Sequence, residues 1–400
     1  MAVVLDIGGG YIRAGFSDGS DELLMPRMSV AAALGRAKRG RERPILIGQR
    51  LAALPEALVS RALSRGLVTD WESLKRILCE EVFSRNQRGG LGISEKIQSL
   101  NLMCITPPLS PESVNQQGVE VFLEDFKFRK VYFSNSAICV PYSPGLYAAF
   151  DRPLNALPPP CVVVDCGFSG CRVSGVVEGG LMAGLCQRSN VGGRVLNNYL
   201  RELLAFSQVD LEDAPFLVQK IREMVSKVSE FNSLKTSLRN LEPIFIKLPD
   251  YSDSHEPLIV SANEYTEQTR SGNPQIKILK IWRERSVVPE CLFQPGIAGL
   301  SECGIAEMTF RSIMKAPEQL RPSLAKRILL VGGLAMMDGL KERFEAELRS
   351  MLNDGLQVKV YIEQDKRTDL SVFRGASVVA SHYDSIKNAI DRDAFTGRAS

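Results

Sequence analysis

Hydrophobic residues in this chain fall first into short runs that end on an acid and a glycine turn. Residues 3–19 read VVLDIGGGYIRAGFSDG, and residues 162–179 read VVVDCGFSGCRVSGVVEG. Each is an apolar run, then Asp-x-Gly, then a Gly/Ser turn, then a second β-rich run. Asp6 aligns with Asp165, Gly8 with Gly167 and Arg13 with Arg172 at one constant offset. Two copies of a strand–turn–strand unit predict two related lobes. The Pro-rich stretch 151–160, DRPLNALPPP, is the expected linker between them.

Helix-like and loop segments are expected from the first hairpin to about Phe83. Strands are expected over 100–105 and 130–133, a helix opening at Ser110-Pro-Glu-Ser113, and another running towards Phe150. In the second half Val195, Leu196, Tyr199, Leu200, Leu203 and Leu204 share one helical face. Residues 327–331 read as a buried strand running into Gly332-Gly333. A helix follows with Leu340, Phe344 and Leu348 at fourfold spacing, and Glu345 and Arg349 form a favourable i,i+4 pair on it. Strands alternating with helices predict an α/β protein with mostly parallel sheets and helices on both faces.

The chain has 400 residues, too many for one compact core. No apolar run reaches the roughly 18 residues that span a bilayer. The start, MAVVLDIGGG, has no basic flank and carries Asp6 in its apolar run. No signal peptide and no membrane partner are therefore expected, and the nucleus or cytoplasm is the expected compartment. The net charge of +3 is too small to argue for nucleic acid from the whole chain. Nine cysteines occur without a CxxC pair. Cys161, Cys166 and Cys171 recur every fifth residue, and the expectation is small core residues in strands, with no metal. His255 and His382 are the only histidines in the sequence, so a His-based catalytic dyad has almost no material.

Two Asp-x-Gly turns facing each other across a cleft have a chemical use. Glycines such as Gly8, Gly9, Gly10 and Gly167 let backbone N–H groups approach phosphate oxygens. Carboxylates at the strand ends, Asp6 and Asp165, can hold magnesium through water. Arg13 can reach a phosphate as a cation. The third turn, Gly332-Gly333, suits a base or ribose. Each signal alone is common in α/β proteins; their order and the repeat make them specific.

At this point the chain resembles the actin family. DIGGGYIRAGF is similar to the first phosphate loop of actins, and GLVTDWESL (66–74) to the family's Gly-(Ile/Val)-Val-x-(Asn/Asp)-Trp block. VPECLFQP (288–295) and ECGIAEMTFRSIMK (302–315) match actin nearly residue for residue. LLVGGLAMMDGLKERFEAEL resembles the adenosine loop and its helix, and SVFRGASVVAS the final helix. The resemblance implies the fold shared by actins, Hsp-seventy chaperones and sugar kinases: two related lobes around a central nucleotide cleft. The lobes would be 1–150, with a C-terminal return over 370–400, and 151–369. It implies ATP or ADP with magnesium as cofactor, with Arg222 and Glu223 matching the Lys-Glu pair that lies over the adenine.

Departures from the family point away from catalysis. Actins carry Asp-x-Gly-Asp-Gly in the second turn, where this chain has Asp165-Cys166-Gly167-Phe168-Ser169. Gly9 stands where actin has a phosphate-binding serine, and Pro141 aligns with the glutamine that orients the attacking water. Proline has no side-chain hydrogen-bonding group, so no catalytic residue and no ATP turnover are expected. Two readings stay open for the cleft: bound nucleotide without turnover, or an empty cleft in which Asp6 and Asp165 cap their hairpins.

Further blocks resemble the actin-related protein six subfamily: SNVGGRVLNNYLRELLAFSQ (189–208), LEDFKFRKVYFSNSA (123–137) and LPDYS (248–252). That resemblance implies a non-catalytic scaffold subunit of a nuclear Swi/Snf-type remodeller that exchanges a variant histone into nucleosomes. Partners would be the other remodeller subunits and, through them, the nucleosome or histones, without filament formation. The alternatives are a cytoskeletal actin-related protein of the dynactin pointed-end type, or a polymerising actin ATPase. The basic run GRAKRGRER (35–43) reads as a solvated loop or as a contact for nuclear import or for the acidic surface of a nucleosome. The polar stretch 253–275 gives no element.

Overall fold

The computed structural model describes residues 2–17, 24–38, 44–85, 89–147, 150, 156–231, 238–239, 241–251, 256–271, 277–352, 355–381 and 388–397. Strands β1 (Ala2–Ile7), β2 (Tyr11–Phe16) and β3 (Met28–Ala31) make an antiparallel meander. A small outer sheet follows from β4 (Ala33–Ala37), β5 (Leu46–Ile47) and β6 (Ala57–Arg61), and then the hairpin of β7 (Leu63–Ser64) and β8 (Leu67–Val68). Strands β9 (Asn101–Thr106) and β10 (Lys130–Asn135) extend the main sheet parallel to β1.

The second half repeats this plan. Strands β11 (Cys161–Cys166), β12 (Cys171–Val177) and β13 (Gly180–Ser189) make the meander. An outer sheet comes from β14 (Ile244–Lys247), β15 (Leu258–Val260) and β16 (Ile278–Ile281). Strands β17 (Ile328–Val331) and β18 (Val360–Tyr361) then add in parallel beside β11. The main sheets thus run β3-β2-β1-β9-β10 and β13-β12-β11-β17-β18, with the same senses. The doubled Asp-x-Gly hairpin in the sequence is the visible part of this doubled sheet. Strand β19 (Ile390–Asp391) pairs antiparallel with β10, and helix Ser371–Ser381 lays Phe373, Ala376 and Ala380 against Val4, Met103 and Ile105.

The helical faces expected from periodicity are the buried ones. Helix Gly193–Ser207 buries Leu196, Leu200 and Leu204, and helix Leu340–Met351 buries Leu340, Phe344 and Leu348. Arg349 meets Glu345 at 2.5 Å on the outside. Cys161, Cys166 and Cys171 are buried in the second hairpin, and Cys166 and Cys171 face each other in register.

Four expectations change. The sheets, expected to be mostly parallel, are mixed: each main sheet joins an antiparallel meander to parallel strands, and both outer sheets are antiparallel. The turns at residues 8–10 and 167–170 are too short for the crossover that a parallel pair needs. The segment before Phe83, expected as helix and loop, carries strands β3 to β8. These strands are two to five residues long, too short for alternation to show. The expected helix towards Phe150 is broken into Ser136–Cys139, a 3-10 turn Val140–Tyr142 and Pro144–Tyr147. Pro141 and Pro144 account for the breaks, since each removes a backbone N–H. In the polar stretch 253–275, strand Leu258–Val260 and helix Ala262–Ser271 form, with Tyr265 stacked on Phe245 at 4.6 Å. Residues 39–43 of the basic run, His255, His382 and residues 151–155 of the expected linker lie outside the described residues.

Candidate functional site

The two Asp-x-Gly turns meet where the main sheets face each other. Asp6, Gly8, Gly9, Gly10, Arg13, Asp165, Gly167, Arg222, Glu223, Gly332 and Gly333 all line one cavity of about 520 Å³. It is also lined by Thr106, Pro107, Ser136, Met336 and Met337. Pro141 is buried in its 3-10 turn and does not line the cavity. The aligned position therefore lies outside the lining, to which Thr106 and Ser136 belong; the Thr106 hydroxyl donates to the Ser134 carbonyl at 3.3 Å.

Register explains the charge pattern. Asp6 lies opposite Arg13 across the first hairpin, and Asp165 opposite Arg172 across the second. Burial raises the Asp6 carboxyl to about 6; Arg13 opposes the rise and Asp165 adds to it. Burial also raises Asp165, against the charges of Arg172 and Arg13. Both acids are raised chiefly because they are buried, even though arginines stand close to each of them.

Arg13 does not stand free. Its guanidinium lies 3.1 Å from Asp369 and 3.6 Å from Asp6, while its Nε is buried without a partner. Burial opposes ionisation of Asp369, yet hydrogen bonding from Arg367 and the charge of Arg13 hold it below its ordinary value. Asp369 lines the cavity and is a candidate that sequence reading missed. It follows a loop with no glycine turn, and its contact with Arg13 joins residues more than 350 positions apart.

The glycines divide by what they touch. A Cβ on Gly9 would lie 1.8 Å from Ser169 Oγ, and one on Gly10 would lie 3.1 Å from Phe168 Cβ. These two glycines therefore admit the second turn itself against the first. A Cβ on Gly8 would press on the Tyr11 carbonyl at 2.7 Å. Gly333, by contrast, has nothing within 4 Å of its Cβ position, and Gly167 has only ordinary contacts. Both line the cavity, but the Gly167 N–H is already given to the Gly170 carbonyl at 3.1 Å.

On the far wall, helix Pro215–Val225 supplies Gln219, Arg222 and Glu223. Arg222 Nε donates to Asn197 Oδ1 at 2.6 Å, and Arg222 and Gln219 both reach Glu223 Oε1. Burial lowers the Arg222 pKa, and Glu223 opposes the change. Arg222 is fixed by this network, and the half-exposed Glu223 carboxylate is left at the cavity edge.

The residues present fit a magnesium nucleotide. The buried carboxyl pair Asp6 and Asp165, one from each Asp-x-Gly turn, matches a cation held between the turns. The Gly333 backbone, with open space at its Cβ position, leaves room for a ligand to approach.

The Actin family model matches residues 1–396. Actin-related protein 6 of Arabidopsis thaliana is 29% identical over 96% of this chain and 93% of its own length. Actin-like protein ARP6 of Yarrowia lipolytica is 26% identical over 85% of this chain and 83% of its own. Actin-related protein 2 of Saccharomyces cerevisiae is 27% identical over 95% and 91%. The doubled sheet, the paired Asp-x-Gly turns at one cleft and a family match along almost the whole length agree: the chain belongs to the actin family.

Proposed function

We propose that this chain is a non-catalytic actin-related subunit of a nuclear chromatin-remodelling complex, of the kind that exchanges a variant histone into nucleosomes. The kinship with proteins named actin-related protein 6, across nearly their full length, supports the subfamily. Identity alone does not separate it from the actin-related protein 2 kinship. The blocks at 189–208 and 248–252 tip the choice. The observation that carries the non-catalytic reading is the second turn. Phe168 and Ser169 pack on Gly10 and Gly9, where a turnover site would keep a polar turn open to phosphate.

In this reading the lobes are 1–150, with the return over 370–400, and 151–369. Bound ATP or ADP with magnesium would supply negative phosphate charge and a cation. Asp6 and Asp165 would hold that cation. Arg13, paired with Asp369 and Asp6, steadies both carboxylates. Gly8, Gly9, Gly10 and Gly167 shape the turns around the phosphates, while Gly332 and Gly333 with Arg222 and Glu223 frame the nucleoside. Pro141, at the position that aligns with the water-orienting glutamine of actins, has no side-chain hydrogen-bonding group and does not line the cavity.

The purified protein is expected to show no ATP turnover above background. Steady turnover that disappears in Asp165→Ala would overturn this. It is also expected not to sediment as filaments under salt and magnesium conditions that polymerise actin, because a filament needs matching contacts on both ends. Affinity purification of the tagged protein tests the assignment itself. Companion subunits of a histone-exchange remodeller are expected. Recovery with dynactin would favour the cytoskeletal reading, which the actin-related protein 2 kinship keeps in view.

A further inference from the structure

Beside the cleft, the lobes touch through side chains that no ligand explains. Arg61 ends strand β6 in the first lobe, and its guanidinium carbon sits 4.3 Å from the centroid of the Phe168 ring and 5.7 Å from that of Phe216. Both rings belong to the second lobe. The same guanidinium donates to the Gly9 carbonyl at 3.3 Å. Burial, with help from Arg194, lowers the Arg61 pKa to about 10. A partly desolvated cation met by two ring faces and a carbonyl is held by geometry that an ammonium would not reproduce.

The contact continues outward. Phe216 completes a buried cluster whose other members, Ala31, Ala33, Leu51 and Ala57, all come from the first lobe. At its edge the Ala57 N–H donates to the Asp213 carbonyl at 2.8 Å, and Lys38 pairs with the Asp213 carboxylate. This is a backbone bond, a buried apolar patch and a cation–π clasp, all crossing one seam.

We propose that the clasp of Arg61 between Phe168 and Phe216 holds the lobes together along this seam without any ligand, so that exchange into the cleft waits for the clasp to open. The bulky Phe168, which marks the loss of a phosphate-facing turn, then has a use of its own. Its ring fills the space between Gly10, Gly193 and the Arg61 guanidinium. Closure along this seam is drawn from protein contacts. The inference rests on the lobe contacts and not on the remodeller assignment.

Backbone hydrogen exchange of the full chain, read by mass spectrometry without added nucleotide or partner, tests it. The peptide carrying Ala57 reports the seam, and peptides carrying Leu5 and Leu330 report the two cores. In the unaltered protein the Ala57 amide is expected to be protected. Arg61→Ala or Phe168→Ser should speed its exchange about tenfold, the scale of one desolvated cation–π contact, with Leu5 and Leu330 unchanged. Should either variant loosen the cores as well, Arg61→Lys is read instead. It keeps the charge and the stem, and should speed Ala57 alone by a smaller factor. A rapidly exchanging Ala57 in the unaltered protein, or equal Ala57 rates in all variants, would overturn the proposal whatever complex the protein joins.

Discussion

Gly332→Val is expected to destabilise the protein by about 3 kcal/mol or more. Gly332 follows strand β17 with φ +94 and ψ 163, a conformation that only glycine adopts without strain. A Cβ there would lie 2.4 Å from the Cys166 carbonyl oxygen and 2.7 Å from Asp165 Oδ1. Its backbone is also pinned on both sides: its N–H donates to the Thr368 carbonyl at 2.9 Å, and Thr368 Oγ1 donates to its carbonyl at 2.8 Å. The residue can therefore neither relax its φ nor step away from the second turn. Urea unfolding of the variant beside the unaltered protein checks this. Gly333→Ala is the control, because its Cβ meets open space, and it should change stability little. Equal midpoints for Gly332→Val and the unaltered protein would show that the turn can shift and that the close approach is not obligatory.

Asp6→Asn is expected to stabilise the protein at pH 7.5, without added nucleotide or magnesium, by roughly 1–3 kcal/mol. Asp6 holds its proton to a pH of about 6 when folded, against 3.8 when unfolded. An acid raised in this way favours folding most below the unfolded value. Its contribution falls as pH rises from about 4 to about 6, and stays low above that. At 1.36 kcal/mol for each pKa unit, the full loss is roughly 3 kcal/mol. Asparagine keeps the shape and removes the charge, and Arg13 retains Asp369 at 3.1 Å. The advantage of the variant should shrink to nothing near pH 4. Magnesium ATP should narrow it at pH 7.5, since a cation relieves the carboxylate pair of the unaltered protein. A variant no more stable at neutral pH, or equally favoured at every pH, would count against a burial cost on the Asp6 carboxylate.

What the sequence made legible was what the fold repeats or buries. The hairpins showed twice, with Asp and Arg in the same register. Helix faces showed where Leu196, Leu200 and Leu204, or Leu340, Phe344 and Leu348, recur at helical spacing. The block around Glu290 stands out because its acid is buried with Arg343 at 3.0 Å, beside Phe293. Such a pair leaves little latitude, since removing one partner strands a buried charge. Contacts between remote, short elements stayed hidden. Asp369 reaches Arg13, and Phe216 reaches Ala57, across distances that no local period encodes. The small outer sheet of the first lobe was missed because its strands are too short to alternate. Phe168 was seen as a lesion, but its partner Arg61 lies over a hundred residues upstream in an unremarkable run.

The closure of the first sheet by strand β19 and helix Ser371–Ser381 bears on the order of synthesis. Strands β1, β9 and β10 are complete once residue 135 has been made, yet Val4, Met103 and Ile105 are covered by Phe373, Ala376 and Ala380. At roughly 5–20 residues per second, this apolar sheet face waits roughly 10–50 s for its cover. Throughout that interval the nascent chain offers a ready-made binding surface to holding chaperones. A ribosome-stalled chain ending at residue 360 should be retained by them, and one extended past residue 391 should be let go.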